Sequence, residues 1–204
     1  MKKKFLACIM VLAIAVAFMP ANTFAASKTA TMKAYDQVIK SGNTVYCAGA
    51  EGLYKVKVKK GKVVSKKVIS RAESFGAYSY YSGMKKKGSY IYAQVSTEGT
   101  PYYIDRIKTS SGAYTTLASA NDQGPIDYAI KGKKIYYKAY DSSTKRVMKL
   151  NGKNKKKSST KPIMKHKKSN AKGYSVIMKE KGDKVVTYLK TPKGKFKLGS
   201  HSAW

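Results

Sequence analysis

One short pattern recurs along this chain and constrains its fold more than any other feature. Gly42-Asn43-Thr44-Val45-Tyr46, Gly88-Ser89-Tyr90-Ile91-Tyr92 and Gly132-Lys133-Lys134-Ile135-Tyr136 each place Val or Ile three residues after a glycine, followed by Tyr. Gly173 opens a fourth unit ending in Val176-Ile177. The four glycines lie 46, 44 and 41 residues apart. Each unit reads as strand, turn, strand, turn. The first contains Gln37–Lys40, Thr44–Ala48, Leu53–Val58 and Val63–Ile69; the second, Ala77–Tyr81, Tyr90–Val95, Tyr102–Ile107 and Tyr114–Leu117. The third is the cleanest, with Ile126–Ile130, Lys134–Ala139, Arg146–Leu150 and then Asn151-Gly152, the dipeptide that best tolerates a tight hairpin. Lys153–Lys161 is too charged for a core strand and is expected as an exposed edge or loop. The fourth unit runs from Ile163 through Tyr174–Met178 and Lys184–Leu189 to Lys195–Leu198. No window shows sustained apolar spacing at three and four residues, so helix is expected to be nearly absent from the mature chain.

The ends of the chain read differently. Lys2, Lys3 and Lys4 precede an uncharged apolar run from Phe5 to Phe18, Pro20 breaks it, and Thr23-Phe24-Ala25 supplies a small-residue cut site. The run is short for a membrane span, which needs about 20 apolar residues. Residues 1–25 are therefore expected to be a secretory signal peptide, 26–35 a lead-in strand able to pair with the last unit, 36–200 one four-repeat domain, and 201–204 a tail. Cleavage would leave Cys47 as the single cysteine, unable to form an internal disulfide and expected to be buried.

A period of about 40–50 residues with four strands per unit is the signature of β-propeller blades, whose sheets bury their faces only by stacking on one another. The expected fold is therefore all-β and β-propeller-like, with four repeats of about four antiparallel strands; an open propeller arc, a sandwich or a barrel are the alternatives. The Gly-x-x-[Val/Ile]-Tyr openings, followed by strands such as Tyr54-Lys55-Val56 or Val147-Met148-Lys149-Leu150 and a glycine turn, resemble TolB-like β-propellers. The resemblance is strongest to propeller-repeat domains of secreted proteins from Gram-positive bacteria, and it covers Asp36 to Gly199. It implies no catalytic residues.

Charge is the main clue to function. The formal net charge is +32, or +29 without the three leader lysines, and arginine occurs only at Arg71, Arg106 and Arg146. Such a surface attracts polyanions. Candidate contacts are Lys57, Lys59, Lys60, Lys62, Lys66 and Lys67; Lys85, Lys86 and Lys87; Lys155, Lys156 and Lys157; and Lys165, Lys167 and Lys168. Among the 17 tyrosines, Tyr80, Tyr81, Tyr102 and Tyr103 are candidates for stacking on sugar rings or bases. His166 sits among lysines and His201 in the tail, neither at metal-ligand spacing, and the scattered aspartates read as turn residues. No nucleophile elbow or alternating-acid calcium loop is present. The expectation is a secreted, non-catalytic envelope protein without a cofactor or metal, binding an anionic wall polymer or acidic polysaccharide. The alternative is a protein-interaction module whose lysines confer only solubility, and an enzyme is the third reading. Sequence-specific nucleic-acid recognition and a membrane span after cleavage are not expected.

Overall fold

The computed structural model describes residues 28–71, 79–97, 100–120 and 124–202. The expected signal peptide, the Asp122 turn and the last two tail residues lie outside them. The described chain is all-β, without a helix, as the strand periodicity predicts. Sixteen strands follow one another in sequence. The first four are β1 (Thr29–Ser41), β2 (Thr44–Gly49), β3 (Gly52–Lys59) and β4 (Lys62–Ser70). Next come β5 (Ser79–Lys87), β6 (Tyr90–Thr97), β7 (Thr100–Lys108) and β8 (Tyr114–Ser119). The third group is β9 (Ile126–Lys131), β10 (Lys134–Ala139), β11 (Arg146–Lys149) and β12 (Lys156–Lys157). The last is β13 (Lys161–Ser169), β14 (Ser175–Lys181), β15 (Lys184–Thr191) and β16 (Gly194–Ser202).

Neighbouring strands within the first three groups pair antiparallel in chain order, as do β14, β15 and β16. Gly42, Gly88, Gly132 and Gly173 occupy the connection from first to second strand of each group, with φ of +59°, +57°, +61° and +78°. These are left-handed values that disfavour a side chain, which accounts for the recurring glycine.

The groups meet at β1, which does two jobs along its length. Its first half pairs in parallel with β13, from Thr29↔Lys161 to Tyr35↔Lys167. Its second half pairs antiparallel with β2, from Val38↔Cys47 to Ser41↔Thr44. A bulge between Tyr35 and Val38 separates the halves. The expected boundary at 35/36 thus falls inside a continuous strand. Tyr35 also bridges Met84 of β5, joining the first two groups into one curled sheet.

Three buried clusters hold the layers together. Val38, Val45, Val56 and Tyr54 of the first group pack with Val176, Leu189 and Leu198 of the fourth. From the opposite face, Ile39, Tyr46 and Leu53 meet Tyr81, Met84, Ile91 and Ile107 of the second group. Tyr92, Ile104 and Leu117 of the second group meet Ile126, Tyr128, Ile135 and Met148 of the third, with Ala30, Met32 and Ala34 of β1 between them. No cluster of buried described residues joins the third group's sheet to β14–β16. The cores thus link the fourth group to the first, the first to the second and the second to the third, while β13 of the fourth group also lies against β9 and β10 of the third.

Buried hydrogen bonds fix the second and third groups against each other. Tyr128 donates its hydroxyl to the Gly83 carbonyl at 2.7 Å, and Gln94 Nε2 donates to the Ile126 carbonyl at 2.6 Å. At the outer end of the first and second groups, Gly112 (φ +82°) packs so tightly that an added Cβ would collide with the Ile69 carbonyl. Gly132 has open space around it. Gly132→Ala should therefore cost only the left-handed backbone penalty, about 1–2 kcal/mol. Gly112→Ala should lower the urea midpoint further because backbone must also move. Equal midpoints for the two variants would contradict this packing.

Candidate anion-binding site

The strand registers place lysines directly opposite one another. Lys55 faces Lys67, Lys59 faces Lys62, Lys33 faces Lys165, and Lys134 lies between Lys131 and Lys149. Like charges in such positions repel, each pair opposing the sheet by about 0.2–1 kcal/mol. Carboxylates do not relieve them. Among the described residues, no lysine or arginine nitrogen lies within 4.0 Å of a carboxylate oxygen, and the one ion-pair contact is His166 to Asp36 at 2.8 Å.

On the third sheet these cations surround a cavity of about 330 Å³, lined by Lys134, Val147, Lys149, Asn154, Lys155 and Lys156. Its construction follows from the backbone. The Gly132 turn aligns β10 with β9, and β10–β11 pairing then puts Lys149 beside Lys134 on one face, next to the row formed by Tyr136 and Val147. After Asn151-Gly152 the chain doubles back, with Gly152 N–H donating to the Lys149 carbonyl at 2.9 Å and Lys149 N–H to the Lys153 carbonyl at 2.9 Å. Asn154 adopts φ of +59°, turning the chain so that Lys156 pairs across from Val147. An apolar valine floor thus lies beneath four exposed ammonium groups. Lysine is a compact, hydrated point charge that meets anionic oxygens from many directions, without the directional fork of arginine.

The sequence-based candidates distribute unevenly around this site. Lys155 and Lys156 line the cavity, and Lys157 sits next to them, opposite Arg146. Lys57, Lys59, Lys60, Lys62, Lys66 and Lys67 lie on β3, β4 and their turn, exposed on the first sheet, where Lys66 Nζ donates to the Lys197 carbonyl at 2.6 Å. Lys85 and Lys86 are half-buried, and Lys87 Nζ is engaged with the Gly132 carbonyl at 2.7 Å. Lys165, Lys167 and Lys168 are exposed on β13. Sequence reasoning missed Lys134 and Lys149. The signal for them was the hairpin register implied by Gly132 and by Asn151-Gly152.

The tyrosine candidates fare differently. Tyr81 is only 1% exposed, and its hydroxyl donates to the Arg71 carbonyl at 2.8 Å, so it offers no ring face to a ligand. Tyr102 and Tyr103 are successive residues of one strand, and they turn to the two different cores on its two sides. Their rings are 6.5 Å apart and tilted by 60°, which makes no common platform. Tyr80 alone of the four is exposed.

Other chemistry-bearing groups are held inside the fold. Cys47 is buried, and desolvation pushes its thiol well above the usual range, away from nucleophilic thiolate. Burial likewise raises the Tyr54 phenol, reinforced by the neighbouring Glu51 carboxylate. Among the described residues no three His, Cys, Asp or Glu side chains gather as a metal site. Asp36, expected as a turn residue, instead accepts a hydrogen bond from Gly83 N–H at 3.1 Å beside His166, tying the β1 bulge to β5 and β13. Asp105 is buried, where desolvation raises its pKa and a 2.7 Å bond from Thr116 Oγ1 partly offsets that rise.

No known family model and no curated protein matches the chain. Among solved structures it is similar to a chain in a structure titled "Crystal structure of Nidogen/Laminin Complex", with 14% identity and a TM-score of 0.40. The similarity covers 77% of this chain and 61% of that one, so this chain spans less than two thirds of it.

Two measurements follow from these electrostatics. Lys149→Gln should raise stability at low salt by about 0.2–1 kcal/mol by relieving the row with Lys134, and the gain should disappear at high salt; a loss of stability at low salt would mean the row is compensated. For Asp105 the folded-state pKa exceeds the unfolded one, so folding binds a proton and stability falls as pH rises through that window. Asp105→Asn should therefore be increasingly stabilising, relative to wild type, between pH 4 and pH 7 in urea titrations. A constant difference would show that Asp105 does not titrate abnormally.

Proposed function

We propose that this chain is a secreted, non-catalytic binding protein of the bacterial cell envelope that holds a linear anionic polymer on its lysine surface. Its four strand groups would form a propeller-like arrangement that carries the binding faces. The observation behind this reading is the cavity of Lys134, Lys149, Lys155 and Lys156, whose charges have no carboxylate partner among the described residues. Stacking like charges in register opposes the sheet. A bound polyanion turns that repulsion into attraction. The near-exclusive use of lysine suits binding by charge more than by the fixed bidentate geometry of arginine. The leader-like first 25 residues support secretion.

Retention of the chain from residue 26 onward on poly(glycerol phosphate), heparin and neutral-glycan matrices across a salt series tests this. Four lysine contacts predict a log–log salt slope of about −3 on the phosphate polymer, and Gln at Lys134, Lys149, Lys155 and Lys156 should flatten it. Salt-independent retention, or equal retention on the neutral glycan, would contradict the proposal and favour a protein partner.

A further inference from the structure

The fourth sheet carries another cationic face, made by residues outside the cavity. Pairing of β14, β15 and β16 sorts their side chains onto two sides. Val176 and Leu189 share the side that packs on the first sheet. The other side receives Lys190 opposite Lys195, Lys181 opposite Lys184, and Tyr188 opposite Lys197. All five lysines are exposed, and Lys195 Nζ lies 4.5 Å from the centre of the Tyr188 ring. That contact steadies one ammonium over an aromatic surface. It also sets an apolar ring beside the charges, as Val147 does in the cavity. Lys190 and Lys195 stand about 5 Å apart across strands and Lys197 about 7 Å further along. Lys181 and Lys184 form a second pair about 20 Å away at the other end of the hairpin, so the cations span a length that suits a chain-like anion.

The geometry points to a second anion-binding face here, independent of the cavity, so that one chain holds two segments of the same kind of anionic polymer. No residue of β14, β15 or β16 lines the cavity, and the two sheets share no buried core. The inference rests on the polyanion reading and adds its valency. Held at two faces, a long polymer gains avidity that a short oligomer does not.

Titration calorimetry with short glycerol phosphate oligomers at low salt reads the number of sites directly. Two oligomers per chain are expected. Gln at Lys181, Lys190, Lys195 and Lys197 should leave one, as should Gln at Lys134, Lys149, Lys155 and Lys156. A charge-matched control, Gln at the exposed Lys28, Lys108, Lys161 and Lys172, should keep two. Either four-lysine site variant should also lose about 100-fold in apparent affinity for the long polymer. One oligomer per wild-type chain, or a stoichiometry unaffected by the fourth-sheet variant, would overturn the second face while leaving the polyanion reading intact. Absence of any salt-sensitive binding would instead overturn that underlying reading. Circular dichroism spectra matching wild type would show that the variants remain folded.

Discussion

The shared strand β1 is the constraint on which the layers depend. Seven residues at its start belong to the parallel pair with β13, and the last four to the antiparallel pair with β2. Alternation along the first half buries Ala30, Met32 and Ala34, and two of these three are small enough for β9 to approach closely. The bulge after Tyr35 then changes the strand's direction, so that Val38 and Ile39 enter two different cores. Asp36 secures that point by accepting from Gly83 N–H and contacting His166. Without the bulge, one strand could not serve both the fourth group and the first.

Around this centre, apolar rows and lysine rows alternate with the pleat. The cores between layers provide the stabilisation, each fully buried Ile, Leu or Val side chain contributing about 1.5–3 kcal/mol. Against it stand the facing lysines, each pair opposing by a fraction of that. The fold can therefore carry unrelieved cation rows on its outer faces without losing its order. On the sheets of the third and fourth groups such rows stand beside a half-buried aromatic side chain, Tyr136 near one and Tyr188 in the other. Charge density without a protein counter-charge and an apolar footing beside it make these faces fit for a polymer that is both anionic and partly organic.

Much of the backbone was legible in the sequence because its turns depend on local chemistry. Gly42, Gly88, Gly132 and Gly173 stand at left-handed positions, and Asn151-Gly152 reverses the third group as its residue types require. The lysine-rich segment after it contains only the two-residue exposed strand Lys156–Lys157 within Lys153–Thr160. What escaped was long-range. The union of the lead-in with Gln37–Lys40 into one strand, and the Asp36–His166 contact across 130 residues, follow from a parallel pairing that no local pattern announces. The same applies to the cavity. Lys155 and Lys156 stood out as a charge run, whereas Lys134 and Lys149 join them only once the strand register is known. Tyr81 illustrates the opposite error, since tyrosine clustering in a strand says nothing about which ring the neighbouring sheet will cover.

Lysine acetylation footprinting by mass spectrometry, with and without poly(glycerol phosphate) at low salt, addresses the central claim most directly. The account predicts that the polymer protects Lys134, Lys149, Lys155 and Lys156 more strongly than Lys108 and Lys172, which are also exposed. Uniform protection of all exposed lysines would contradict it, leaving a diffuse charged surface in place of a built site.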